Sequence, residues 1–280
     1  MPVHIASRLE DALGELRAGA VALAGGTDLL VDLNFARRRV EHVVVIDRLA
    51  ELQSLSQTGR VRVGAGVTYT RLLQEGAGSV ALHEASRTVG SPQIRNAGTI
   101  GGNLATSSLA GDTLPVLAAL DATVVLRSTE SERRVAFAEF MTGPKRNVMR
   151  PGELIVAAEW DEAGPAQTFL KVGTRNAMVI AVASLALVVD RVRRRVGIAL
   201  GSCGPTIIRA AEAERFASGL FDEGGWEKAL APSDAARTEL GRLVASAARP
   251  IDDVRGTAAY RRQVLSVIAA RALSRVATVA

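Results

Sequence analysis

The chain has 280 residues, enough for one large domain or two smaller ones and for a core that buries a cofactor without disulfides or a structural metal. It is 48% hydrophobic and carries 34 Lys and Arg against 29 Asp and Glu, a net charge of +5 with both signs interspersed. Its single cysteine, Cys203, rules out an internal disulfide, a cysteine-ligated iron–sulfur cluster and a zinc ribbon, and reads as a small buried apolar residue.

Two arginine runs, Arg37 to Arg39 and Arg191 to Arg195 with Val192 between, lack the interleaved aromatic residues on which bases stack. They are expected at a helix end and a hairpin tip, and nucleic acid is not an expected partner. Met1 to Leu9 has no basic segment followed by an apolar block. The longest apolar stretch, Ala177 to Val189, falls short of the ~20 residues of a membrane helix. A cytoplasmic location without membrane insertion is the expectation.

In chain order, Ser7 and Glu10 form the pattern of a capping box opening a helix that runs to about Arg17. Val21 to Ala24 reads as a short strand ending at Gly25-Gly26. Thr27 or Asp28 then caps a helix that turns Leu29, Leu30, Leu33 and Phe35 or Ala36 inward. Val43 to Ile46 reads as a buried strand and Arg60 to Val67 as a half-buried one. Helices follow at Thr70 to Gln74 and Val80 to Val89. Asp112 caps a helix through Leu120, with Pro115 in its first turn, where proline is tolerated. Ala122 to Arg127 and Arg133 to Val135 pair as a hairpin.

Beyond Gly164-Pro165, the expected domain boundary, the character changes. Thr168 to Val172, Val179 to Val189 and Val192 to Leu200 read as strands, with Arg191 to Arg194 turning between the last two. Ile207 to Ser218, Ala235 to Ala247 and Ala258 to Val276 read as helices, the last with Val264, Leu265, Ile268 and Ala272 at helical spacing.

Two glycine pairs carry the chemistry: Ala24-Gly25-Gly26-Thr27-Asp28 and Thr99-Ile100-Gly101-Gly102-Asn103. Paired glycines let successive backbone N–H groups point into one concavity, which near a helix start suits a phosphate or diphosphate. Thr27, Thr99 and Asn103 add neutral donors. Either pair alone is also what an ordinary tight turn looks like. Gly64-Ala65-Gly66 has Tyr69 where the dinucleotide fingerprint has its third glycine, and no Walker-type segment is present, so a nucleotide would bind by another fold.

Ala24-Gly25-Gly26-Thr27-Asp28-Leu29 and Thr99-Ile100-Gly101-Gly102-Asn103-Leu104 resemble the two FAD loops of the molybdenum hydroxylase flavoprotein family. Val89 to Asn96, Asp112-Thr113-Leu114-Pro115, Pro151-Gly152-Glu153-Leu154-Ile155, Lys171 to Ala181, Gly201 to Thr206, Asp253 to Gly256 and Tyr260-Arg261-Arg262 resemble further segments of that family, so the likeness runs over nearly the whole chain. It implies an α+β chain. A vanillyl-alcohol-oxidase-like, PCMH-type FAD-binding domain would span 1–164, with two α/β subdomains at about 1–55 and 56–164. A small carboxy-terminal domain of a three-stranded antiparallel sheet plus helices would span 165–280.

The resemblance also implies non-covalent FAD. Ala22, Leu23 and the backbone of Ala24, Gly25, Gly26, Thr27, Asp28 and Leu29, with Thr99, Ile100, Gly101, Gly102 and Asn103, would cradle its diphosphate and ribityl. Asp112 would accept a hydrogen bond from the flavin half, and Ile155 and Lys171 would line or contact the ring. Asp112 also reads as a plain helix cap and Lys171 as a strand-edge lysine. No residue is assigned a catalytic or metal-binding role.

By the same resemblance, the chain is an electron-transfer subunit of a molybdenum hydroxylase, closest to the bacterial xanthine dehydrogenase type. Iron–sulfur clusters would sit on a small partner subunit and the molybdenum cofactor on a large molybdopterin subunit, with NAD⁺ or another acceptor taking the electrons. The family pattern suggests a dimer of heterotrimers. The same subunit in a carbon monoxide, aldehyde or N-heterocycle dehydrogenase, a stand-alone flavin oxidoreductase, and a scaffold that has lost FAD are the alternatives.

Overall fold

The computed structural model describes residues 1–76, 78–176 and 178–279; Ala177, the first residue of the apolar stretch noted above, lies outside them. The elements in chain order are β1 (Val3–Ile5), α1 (Leu9–Arg17), β2 (Val21–Leu23), α2 (Leu29–Asn34), β3 (Val43–Val45), β4 (Leu55–Gln57), β5 (Arg60–Gly64), α3 (Tyr69–Glu75), α4 (Val80–Thr88), α5 (Pro92–Ala97), α6 (Ile100–Thr106) and α7 (Thr113–Ala119). They continue with β6 (Thr123–Arg127), β7 (Glu132–Ala136), α8 (Phe137–Phe140), β8 (Met141–Gly143), β9 (Arg146–Asn147), β10 (Leu154–Asp161), β11 (Gln167–Val172), β12 (Ala183–Asp190), β13 (Arg195–Gly201), β14 (Ile208–Arg209), α9 (Ala211–Gly224), α10 (Asp234–Ala247) and α11 (Ala258–Ala277). Two units result. The first takes Met1–Ala77, Ser91–Ser107 and Ala122–Trp160, and the second takes Gly78–Gly90, Ser108–Asp121 and Asp161–Ala280. The second unit therefore draws in α4 and α7 from the amino-terminal half as well as the segment beyond Trp160.

In the first unit, β1 and β2 flank β3 in parallel, and the valine-rich centre of β3 is buried. Helix α1 buries Leu9, Ala12, Leu13 and Leu16, an i, i+3, i+4, i+7 stripe. Ser7 does not cap it as expected. Arg8 occupies the cap position without a side-chain bond, and the Ser7 hydroxyl donates instead to Asp11 at 3.3 Å. The helix after the first glycine pair also departs from expectation: α2 buries none of its residues, Leu30 and Val31 are exposed, and Phe35 is 67% exposed with Arg37 over its ring. Neither Thr27 nor Asp28 makes a side-chain cap there.

The first unit's second sheet has the order β4-β5-β10-β6-β7. The hairpin of β6 and β7 forms as expected, and β10 pairs with β6 through a bulge between Ile155 and Ala157.

The second unit is built on the antiparallel sheet β11-β12-β13-β14. Its sheet has four strands where three were expected. After Pro205, Ile208 and Arg209 extend as β14 beside β13 before the chain turns helical, so α9 begins only at Ala211. Leu185, Leu187, Ile198 and Leu200 of the sheet share one core with Phe221, Leu240, Val244, Leu265, Ile268 and Leu273 of α9 to α11. Cys203 is fully buried in that core, where burial pushes its thiol up to about 12. The turn at Arg191–Arg194 joins β12 to β13 as predicted, and two of its arginines are engaged. Arg191 donates to the carbonyl of Lys228 at 2.9 Å, and Arg193 pairs with Asp190 at 3.0 Å. No helix among the described residues is long and apolar enough to cross a membrane.

Candidate cofactor site

The two glycine segments meet within the first unit. Gly25 packs so closely on the segment before the second loop that a Cβ there would lie 1.6 Å from the carbonyl oxygen of Ala97. The Thr106 hydroxyl of α6 donates to Asp28 at 3.3 Å, so the Asp28 carboxylate joins the two loops. Ala22 and Leu23 lie on the edge strand β2, whose last residues lead straight into Ala24.

The two segments differ in what their backbones offer. Among the described residues, the N–H groups of Ala24, Gly25, Gly26, Thr27, Asp28 and Leu29 have no acceptor. Gly26 holds φ at +71°, the left-handed region that lets the run curl on itself. A run of consecutive free amides at the start of a helix is the arrangement that binds phosphate oxygens.

The expectation that the second segment does the same is not met. Ile100 donates to Val67 at 3.1 Å, Gly101 to Ala65 at 2.9 Å, Gly102 to the Thr99 hydroxyl at 3.0 Å and Asn103 to the Thr99 carbonyl at 3.0 Å. Thr99 is the N-cap of α6, so this segment's amides belong to a helix and its strand-side anchors. What it offers is the side chain of Asn103, whose Oδ1 is buried without a partner.

These anchors are the functional residues that reasoning from motifs missed. Val156, in the β10 bulge, accepts from Ala65 at 3.0 Å, and Ala65 in turn accepts from Gly101. Gly64-Ala65-Gly66, which fails as a nucleotide fingerprint, is thus the seat of the second loop. Asn147 holds the other end of α6 through its side-chain amide, at 3.0 Å from both the Ala105 carbonyl and the Ser107 hydroxyl. No motif marked Asn147 in the sequence. Ile155 itself is buried in β10 of the first unit.

Asp112 and Lys171 come together in the second unit. Lys171 Nζ lies 2.6 Å from Asp112 Oδ2 and donates also to the Thr88 carbonyl at 3.1 Å. The Thr88 hydroxyl lies 2.8 Å from both Asp112 Oδ2 and the Ala85 carbonyl; carrying one proton, it favours the charged acceptor. Asp112 sits at the start of α7, but its backbone is already helical and its side chain caps nothing, so the reading of it as a helix cap is set aside. Lys171 does lie on the edge strand β11, but its side chain is 9% exposed and paired with Asp112 rather than turned to solvent to guard the edge. Burial pushes the Asp112 carboxyl above the usual carboxylate range, against the pull of Lys171 and Thr88. Its Oδ1 is buried without a partner. Within the first unit, the free amides of the first loop and the unpartnered Asn103 Oδ1 fit a cofactor with a diphosphate and a hydrogen-bond donor of its own, as FAD has.

Residues 1–159 match the family model described as the FAD binding domain in molybdopterin dehydrogenase, and residues 168–276 match the CO dehydrogenase flavoprotein C-terminal domain. The chain is 37% identical to the nicotinate dehydrogenase FAD-subunit of Eubacterium barkeri over 57% of each chain. It is 32% identical to a putative xanthine dehydrogenase FAD-binding subunit of Escherichia coli K12, over 76% of this chain and 78% of that one. The solved structure of reconstituted CO dehydrogenase from Oligotropha carboxidovorans contains a chain that superposes with a TM-score of 0.88 at 25% identity, covering 100% of this chain and 98% of that one. The chain belongs to the FAD-binding subunits of the molybdenum hydroxylase family.

Proposed function

We propose that this chain is the FAD-carrying electron-transfer subunit of a xanthine dehydrogenase-type complex, working with a small iron–sulfur subunit and a large molybdopterin subunit. The observation that carries the reading is the run of free amides from Ala24 to Leu29 in a chain of this family. Their role is to bind the diphosphate without requiring a lysine. Asn103 supplies an acceptor for the rest of the cofactor, and Ile155 supplies apolar lining. Bound FAD supplies the ability to take electrons one at a time and release them as a pair. The protein's part is to hold the cofactor, aim the acceptors at it and keep water away. The chain's one cysteine is buried, so iron–sulfur clusters belong to a partner. NAD⁺ is the proposed final acceptor.

The likeness to the Escherichia coli subunit supports the xanthine assignment, while the higher identity to the nicotinate dehydrogenase FAD-subunit favours an N-heterocycle as the second reading. Isolation of the native complex through a tagged copy of this chain, followed by assays with xanthine, nicotinate, an aldehyde and carbon monoxide, separates them. Xanthine turnover with NAD⁺ is expected from the complex and none from the chain alone. Turnover of nicotinate without xanthine would replace the first reading with the second.

A further inference from the structure

Helices α10 and α11 leave between them an open groove of about 820 Å³ in the second unit. Its floor is made of small residues: Gly241 is buried, Ala245, Ser266 and Ala270 are half-buried, and a Cβ on Gly241 would lie 2.6 Å from the Ser266 carbonyl oxygen. Four arginines line the groove, Arg237 and Arg242 from α10 and Arg262 and Arg271 from α11, and no carboxylate does. Arg237 is paired with Asp234 and Arg242 with Glu239, each three residues away on its own helix. The guanidinium groups of Arg262 and Arg271 have no partner among the described residues. Helix α11 holds four arginines and no Asp or Glu in 20 residues, so nothing on it offsets them. The other two are engaged within the unit, Arg261 with Val182, Ser202 and Asp253, and Arg275 beside Glu84 at 3.8 Å. Val267, 39% exposed, adds an apolar contact among the charges.

We infer that this groove is an interaction surface for an acidic helical segment of a partner subunit. Free guanidinium groups gathered with no carboxylate among them are complementary to carboxylates, which they bind as forked pairs. The open shape suits a chain segment rather than a small ligand, which a site encloses on most sides. The small side chains of the floor let a third helix lie close along the seam. Arg237 to Ala245 spans about 12 Å, a little over two helical turns, along which Asp or Glu at i, i+3 or i+4 spacing present one acidic face. A second copy of this chain, docked through the same face, would set arginine against arginine. Nucleic acid is disfavoured because no aromatic residue lines the groove for a base to stack on. The inference rests on the reading of the chain as one subunit of a larger complex.

The tagged full chain is isolated with its native complex as wild type, R262E/R271E and R262K/R271K, with and without nuclease treatment and over a range of salt concentrations. Wild type is expected to bring down its partner subunits, less so as salt rises. R262E/R271E should bring down at least about tenfold less. Its circular dichroism and thermal midpoint should match wild type, because both side chains are exposed on a helix surface. R262K/R271K, which keeps the charge, should retain most of the association. A photo-crosslinking p-benzoylphenylalanine in place of Val267 should mark an acidic helical segment of a partner subunit. Lysines placed at that segment's carboxylates should then restore association to R262E/R271E. Undiminished association of R262E/R271E would overturn the inference. So would a crosslink to a second copy of this chain or to a segment poor in Asp and Glu, or association that nuclease abolishes. A wild-type chain that brings down no partner defeats the reading of it as a subunit, and the inference falls with it.

Discussion

Glu153 receives both prongs of the Arg133 guanidinium, at 2.6 Å and 2.8 Å, while the same guanidinium donates to the Val148 carbonyl at 2.8 Å. Glu153 also accepts from the backbone of Arg150 at 2.7 Å, which closes the turn leading into β10. The acidic residue of the Pro151–Ile155 segment is therefore a structural clamp on the strand that carries Ile155 and the Val156 anchor. The Arg133 bond holds the Glu153 carboxyl below the usual carboxylate range. A depressed folded-state pKa contributes stability that is fully present above the unfolded glutamate range and is lost as pH falls through the folded value. Glu153→Gln should therefore destabilise the chain at neutral pH by about 1.5–3 kcal/mol, with the gap to wild type closing in acid. Urea unfolding at a series of pH values checks this; a gap that does not narrow in acid contradicts it.

Gly25 and Gly26 are required for separate reasons. A Cβ on Gly25 meets the backbone of Ala97 at 1.6 Å, a clash that no side-chain rotation relieves, whereas Gly26 needs its positive φ. Gly25→Ala should drive the two loops apart, and Gly26→Val should unfold the curl of free amides. Both should abolish the flavin absorbance of the purified protein near about 450 nm. If the Gly26→Val protein is as yellow as wild type, the first loop does not hold the diphosphate.

Cys203 lies in the core of the second unit, and burial pushes its thiol up to about 12. A thiol that is neither ionised nor reachable does not react. A chromogenic disulfide reagent at mildly alkaline pH should register no thiol in the native chain and one after unfolding in guanidinium. Rapid labelling of the native protein would show that this part of the core opens.

Arg261 is 1% exposed. It donates to the carbonyls of Val182 at 2.6 Å and Ser202 at 2.8 Å and pairs with Asp253 at 2.6 Å. It ties the start of β12, the turn after β13 and the loop before α11 to one planar group. Arg261→Met should cost about 2–4 kcal/mol by stranding those carbonyls, and Arg261→Lys should recover little, because an ammonium lacks the fork. Chemical denaturation of the three proteins decides it; near-complete rescue by lysine would mean that charge, not geometry, is what the site needs.

Much of this molecule was written in local sequence. Hydrophobic period placed α1, α10, α11 and the hairpin of β6 and β7, because the cause of each lies within a few residues of itself. The glycine pairs and the other segments that resemble the family marked a flavin-binding chain, since those too are local in sequence. What local sequence did not determine was where a polar group finds its partner. Ser7 matched a capping box, and Asp112 matched a cap. The first instead bonds Asp11, and the second bonds Lys171, 59 residues away. Two glycine pairs alike in sequence diverged because Val67 and Ala65 carbonyls reach one of them and no acceptor among the described residues reaches the other. Buried hydrogen-bonding groups take whichever partner the packing brings within about 3 Å, and that choice belongs to the tertiary structure alone.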